Sequence, residues 1–298
     1  MPLILLIVKI YIKILISKVY KLNMKILAIQ NKMGIGDTII FLPFIKAISK
    51  KFGVTVSLLV KENSKANEFL NQTNYIDKII HLERDNQISQ KHDSFKGFFK
   101  LTSDIKKYEF DKVFIFNSSL RYNLISRLAG IKEIFQYPLF EKQNQHITEP
   151  AKAMIKKYLD IETNENPEIQ IDDKLVQKSS VNFNINNDEL NVLLGIGGSG
   201  PTKRIPSKTF LQVMEKLDAS KKCRFFLATG KNEGEQKILS ELLNTKFKEK
   251  CVALDTFNIR EILPIIKNCN VAICNDTSFS HLSSALGIKT ITLMADTP

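Results

Sequence analysis

Glycine and proline are scarce, at 12 and 9 of 298 residues, which excludes a fibrous or low-complexity chain. The four cysteines, Cys223, Cys251, Cys269 and Cys274, form no CxxC pair and stand at no zinc-finger spacing from a histidine. A disulfide framework and a structural zinc site are therefore excluded, and the apolar settings of these residues predict reduced, buried thiols. There is no DxD pair to chelate a divalent cation beside a diphosphate, no His/Cys/Asp cluster at metal spacing and no GxxxxGK[ST] sequence, so neither a metal nor a Walker loop is expected. No short-period repeat occurs. The first 23 residues contain no acid and no A-x-A cleavage site, which argues against a secretory signal.

What is present is an ordinary globular composition, 44% hydrophobic and 25% charged, with 43 Lys+Arg against 31 Asp+Glu and a formal charge of +12. The length fits about two domains. The lysines are scattered and no aromatic-basic motif appears, so no nucleic-acid partner is expected. Residues 1–23 are rich in Ile, Leu, Val and Tyr, but Lys9 and Lys13 would lie near the centre of any spanning helix, at roughly 2.5–3.5 kcal/mol each. Two readings stay open for 1–23: a basic amphipathic helix on an anionic membrane surface, or a false start upstream of Met24.

From Lys25 onward, apolar runs alternate with stretches of helical spacing. Strands are expected at Lys25–Gln30, Val54–Val60, Asp77–Leu82, Lys112–Phe116 and Glu133–Tyr137. The alternation restarts after a polar stretch, with strands at Asn191–Ile196, Cys223–Ala228, Lys250–Leu254, Val271–Cys274 and Thr290–Leu293. Intervening helices are expected, among others, at Thr38–Lys51, Ser94–Lys107, Leu120–Ala129, Ser207–Asp218, Glu233–Asn244, Ile259–Lys267 and Ser278–Leu286. Such βα alternation predicts an α/β fold of two Rossmann-like domains, 24–165 and 191–298, joined by a linker at 166–190, with a cleft between them and ligands at the carboxyl ends of strands.

Three loops after strands carry the candidate chemistry. Gly34-Ile35-Gly36-Asp37-Thr38 lacks the third glycine of a dinucleotide fingerprint, because Ile39 stands there. Asp37 is either a first-turn acid favoured by the helix dipole or a functional carboxylate. Gly197-Gly198-Ser199-Gly200-Pro201-Thr202-Lys203-Arg204 combines free amides with two cations, as an anion cradle requires. Asn275-Asp276-Thr277-Ser278-Phe279-Ser280-His281 opens a helix; Asp276 or Thr277 caps it, and its amides are suited to phosphate. His281 lies one turn along.

These three motifs, together with Leu42-Pro43, Ile205-Pro206 and Ala285-Leu286-Gly287, resemble glycosyltransferase family 9, the heptosyltransferases of lipopolysaccharide core synthesis, over 24–298. The resemblance implies a GT-B fold and a metal-independent, inverting transfer of heptose from ADP-heptose to a lipid A–linked inner-core sugar. It requires no cofactor beyond that donor and implies a cytoplasmic protein, peripheral on the inner membrane. By resemblance Asp37 is the general base. Gly198, Ser199, Thr202, Lys203, Arg204, Asp276, Thr277, Ser278 and His281 surround the donor nucleotide and diphosphate. Gly36, Arg121 and Arg127 belong to the acceptor side. The stretch Gly230–Glu235 resembles one that carries a ribose-binding glutamate, a place that Glu233 or Glu235 would fill. The chain departs from the family pattern in having Ile205 where an aromatic is usual. It also ends at Pro298, before the usual closing helix, which implies a shortened C-terminus. A non-catalytic binder of nucleotide-sugar or glycolipid, and an NAD-dependent oxidoreductase, are the alternatives.

Overall fold

The computed structural model describes residues 24–32, 34–84, 90–139, 146–186, 188–198 and 200–294. The expected amphipathic segment 1–23, Ser199 and the last four residues lie outside the described part. Internal contacts divide the described part of the chain into two compact units, one drawn from residues 1–33, 41–64 and 74–165, the other from residues 34–40, 65–73 and 166–298.

The first unit is built on a five-stranded parallel sheet, order β3-β2-β1-β4-β5. Its strands are β1 (Ile26–Gln30), β2 (Val56–Lys61), β3 (Ile76–Leu82), β4 (Lys112–Ile115) and β5 (Glu133–Gln136). β1 and β2 are buried along their whole length, as strands covered on both faces by helices must be. Ile26 of β1 pairs with Val56 on one side and with Lys112 on the other. Along this part of the chain run the helices α1 (Ile35–Phe52), a short α2 (Ala66–Phe69) that groups with the second unit, α3 (Ser94–Lys106), α4 (Leu120–Leu128) and α5 (Glu149–Leu159). α1 straddles the division: residues 35–40 group with the second unit. Leu27, Ile29, Leu59, Val113, Ile115, Leu101, Ile105, Tyr122 and Ile125 form the first unit's core, each fully buried aliphatic contributing roughly 1.5–3 kcal/mol.

The second unit repeats the plan in order β10-β9-β6-β7-β8, with β6 (Leu190–Gly195), β7 (Cys223–Ala228), β8 (Cys251–Ala253), β9 (Val271–Asn275) and β10 (Lys289–Leu293). Helices α7 (Ser207–Ser220), α8 (Glu233–Leu243), α9 (Ile259–Lys267) and α10 (Ser278–Ala285) follow β6, β7, β8 and β9 in turn. Chain order reverses between β6 and β9, so the loops leaving those two strands flank the switch point where ligands of such sheets bind.

Two helices fall outside the expected alternation: α5, and α6 (Asp173–Asn182) inside the polar stretch read as linker. In α6, Leu175 and Val181 are exposed, so it shows little apolar periodicity; Asp172 caps it by accepting the Lys174 amide. The four cysteines are free, and burial raises the Cys251 and Cys274 thiols to about 12.

Candidate functional site

The loops at the β6/β9 switch point are tied to each other. The Asn275 side-chain amide, fully buried at the end of β9, donates to the carbonyls of Ile196 at 3.1 Å and Gly197 at 3.0 Å. Beyond β6 the chain makes a short 3-10 turn, Pro201–Lys203. That turn brings the Lys203 ammonium to 2.7 Å from Asp276 Oδ2. Asp276 therefore does not cap α10. Thr277 does, its hydroxyl accepting the Phe279 amide at 3.3 Å. Ser278 then opens the helix, whose first amides present partial positive charge beside the Lys203–Asp276 pair.

A second brace holds the glycine loop from the β7 side. Glu235 in the first turn of α8 is 7% exposed. Its Oε1 accepts the Gly198 amide at 2.7 Å, and its Oε2 accepts the Asn232 side chain. The carboxylate fits because Gly197 and Gly230 have no side chain: a Cβ on Gly197 would lie 2.5 Å from Oε1, and one on Gly230 would overlap Oε2. Glu233, by contrast, is exposed at the helix start. Arg204 is tied within the same loops, donating to the Gly200 carbonyl at 3.2 Å and to Asn232 Oδ1 at 3.0 Å. Thr202 is exposed on the 3-10 turn.

Asp37 lies in the first turn of α1, a part of the chain that groups with the second unit. Gly34 precedes it with φ of +109°, a backbone that L side chains rarely adopt, and accepts the Thr38 hydroxyl at 3.2 Å. Gly36 lies directly under His281: a Cβ there would stand 2.6 Å from the imidazole Cδ2. Burial lowers the His281 pKa, opposed by the carboxylates of Asp276 and Asp37 and assisted by Lys203. At neutral pH the ring is therefore uncharged, with Asp37, Asp276 and Lys203 all within electrostatic reach of it.

Gly36, Asp37, Gly198, Lys203, Asp276, Thr277, Ser278 and His281 thus gather in the second unit. Arg121 and Arg127 belong to the first. There Arg121 donates to the carbonyls of His92 at 2.7 Å and Ser94 at 3.3 Å and lies over the Phe98 ring. Arg127 donates to Asn123 Oδ1 at 2.8 Å. Among the described residues no group of three or more His, Cys, Asp or Glu could hold a metal ion, and no helix is long and apolar enough to cross a membrane.

The model of glycosyltransferase family 9 (heptosyltransferase) matches residues 98–298, two thirds of the chain. The chain belongs to this family. As a member of family 9 it is a glycosyltransferase. It is 25% identical to lipopolysaccharide heptosyltransferase 1 of Campylobacter coli over 301 aligned positions, which cover 91% of this chain and 84% of the relative. Among solved structures it is similar to the family 9 glycosyl transferase from Veillonella parvula, with a TM-score of 0.74 at 17% identity, covering 92% and 82% of the two chains. It is also similar to the E. coli ADP-heptose lps heptosyltransferase II, with a TM-score of 0.71 at 15% identity, covering 90% and 84%. A third likeness is to E. coli heptosyltransferase WaaC with ADP-2-deoxy-2-fluoro heptose, with a TM-score of 0.65 at 16% identity, covering 90% and 88%. With these neighbours the two Rossmann-like units make a GT-B fold.

The sequence left Glu233 and Glu235 as alternatives for one role; the buried carboxylate, holding the Gly198 amide, is that of Glu235.

Proposed function

We propose that the protein transfers a heptose from ADP-heptose to an inner-core sugar of lipopolysaccharide, by a single inverting displacement without a metal ion, at the inner face of the membrane. The observation that carries this reading is the gathering of an acid, a half-buried neutral histidine, a lysine and a helix N-terminus around one switch point. The ADP-heptose analogue held by the related E. coli heptosyltransferase agrees with this donor.

In this mechanism Asp37 takes the proton of the acceptor hydroxyl as its oxygen attacks the anomeric carbon. The bond from that carbon to the diphosphate oxygen breaks, and the departing charge falls to Lys203 and the amides at Ser278 and beyond. The transition state is oxocarbenium-like, as in other glycosyl chemistry. Glu235 and Asn275 hold the glycine loop in the shape that the diphosphate meets. Arg121 and Arg127 contribute positive charge on the acceptor side.

The test is a thermal-shift comparison of ADP-, UDP- and GDP-sugars, followed by product analysis with the strongest binder and a deacylated core acceptor. ADP-heptose stabilising the protein and yielding an inverted glycoside supports the reading. Stabilisation without any product makes the chain a binding protein, and a stronger response to another base moves the donor.

A further inference from the structure

Helix α3 has two apolar faces. Leu101 and Ile105 enter the core, while Phe95, 77% exposed, and Phe99, 51% exposed, point outward. The two outward rings meet edge to face at 5.0 Å, and Phe98 meets Phe99 at 5.2 Å. α4 packs beside α3 and carries its own exposed stripe, Leu120, Leu124 and Leu128, the last 54% exposed. Arg121 binds the two helix starts together through the His92 and Ser94 carbonyls. Isolated exposed hydrophobics are ordinary, but stripes on two adjacent helices mark an interaction surface.

The charge carried by these two helices is almost all of one sign. α3 and α4 carry Lys96, Lys100, Lys106, Arg121 and Arg127 against a single acid, Asp104. That acid is already held by Lys91 at 3.5 Å, Lys100 at 3.3 Å, Lys107 at 2.9 Å and His92 at 3.4 Å, and so leaves no negative charge on the face. A second copy of the chain would oppose cations to cations across a two-fold axis. Aromatic rings that sink below headgroup level, with lysines reaching to the phosphates, are the pattern of an interfacial surface on anionic lipid.

We propose that the α3–α4 face of the first unit docks on the surface of an anionic bilayer, with Phe95 and Phe99 inserted and Lys96 and Lys100 on the headgroups. This deepens the functional reading above and rests on it only for its purpose, access to a lipid-anchored acceptor.

Sedimentation of the full chain with vesicles of phosphatidylethanolamine and phosphatidylglycerol, against phosphatidylcholine alone, tests it. The wild type pellets with the anionic vesicles, and Phe95→Ser/Phe99→Ser weakens binding by about tenfold or more with an unchanged thermal transition. Lys96→Gln/Lys100→Gln removes most of the salt-sensitive part. Wild type left in the supernatant, or the phenylalanine variant binding as well as wild type, overturns the proposal, the latter by assigning the contact to another segment. A wild-type dimer that the phenylalanine variant turns into a monomer also overturns it, since the face would then join two copies. A wild type that binds vesicles through this face yet transfers no sugar leaves the docking surface standing and sinks the transferase reading.

Discussion

The ammonium of Lys203 lies 2.7 Å from Asp276 Oδ2, so the cation assigned to the donor's diphosphate has a carboxylate partner before any donor arrives. The pair is part-exposed, and its own contribution to folding is about 1 kcal/mol or less. Lys203→Ala is therefore expected to leave the thermal transition nearly unchanged while lowering kcat/KM by about 10²–10³, the usual effect of removing one group that stabilises a departing negative charge. A loss of stability as large as the loss of rate would instead make the lysine a structural strut.

Asp37→Asn separates the two readings of the first-turn acid. The amide keeps the shape and removes the base, so transfer should fall by about 10²–10⁴ while the donor's dissociation constant stays within a factor of a few. Calorimetric titration with a non-transferable donor analogue, run beside the turnover assay, decides it. Near-normal turnover would return Asp37 to the role of a dipole-favoured first-turn acid.

Glu235 and Glu233 differ by two positions and should differ sharply in consequence. Glu235→Ala strips the buried Gly198 amide of its acceptor, which costs about 1–3 kcal/mol, and loosens the loop proposed to shape the diphosphate site. A lower thermal transition and a higher donor KM are expected together. Glu233→Ala, at an exposed position, should leave stability unchanged. Urea unfolding of the two variants side by side provides the comparison, and equal stabilities would remove the brace.

That contrast also shows where sequence reading reaches its limit. Strands such as Ile26–Gln30 and Cys223–Ala228 were legible because both faces are largely buried and, Gln30 and Arg224 apart, the residues are apolar. The three loops were legible because each follows such a strand and begins a helix. Glu233 and Glu235 stayed alternatives in the sequence, because the difference between them depends on Gly197 and Gly230 arriving from two different strand ends at the Glu235 carboxylate, a relation no local spacing encodes. α6 escaped because Leu175 and Val181 face outward, leaving the helix with little periodic signal beyond its Asp172 cap. Arg121 could be read only as a cation of the acceptor side; its hold on the carbonyls of His92 and Ser94 required the packing of α3 against α4.

His281 sets a pH dependence whose sign follows from its environment. Burial depresses its folded-state pKa below the ordinary value, 6.5. Just below that pH the unfolded chain binds more protons than the folded one, so stability rises with pH through this window. The contribution is complete above about 6.5 and is lost as pH falls through the folded pKa. His92, likewise buried, is shifted the same way. Thermal transitions measured from pH 7 to pH 5 should fall less steeply in His281→Gln than in the wild type. Parallel curves would show that the folded ring takes up its proton without cost.

Gly36 and His281 should behave as one unit. A methyl at position 36 would stand 2.6 Å from Cδ2 and 2.9 Å from Nε2 of the ring, too close to coexist, so Gly36→Ala must displace either the imidazole or the first turn of α1 that carries Asp37. Both movements disturb the placement of Asp37 relative to His281, and transfer should fall even though alanine favours helix over glycine by up to about 1 kcal/mol. In a His281→Ala background the ring is gone and the same methyl enters free space. The penalty of Gly36→Ala should then vanish or reverse in sign, giving a coupling of about 0.5–3 kcal/mol in a double-mutant cycle of unfolding free energies. Additive effects in that cycle would mean that the histidine does not rest on the glycine in solution. The acid and the imidazole would then be held in register by some other contact.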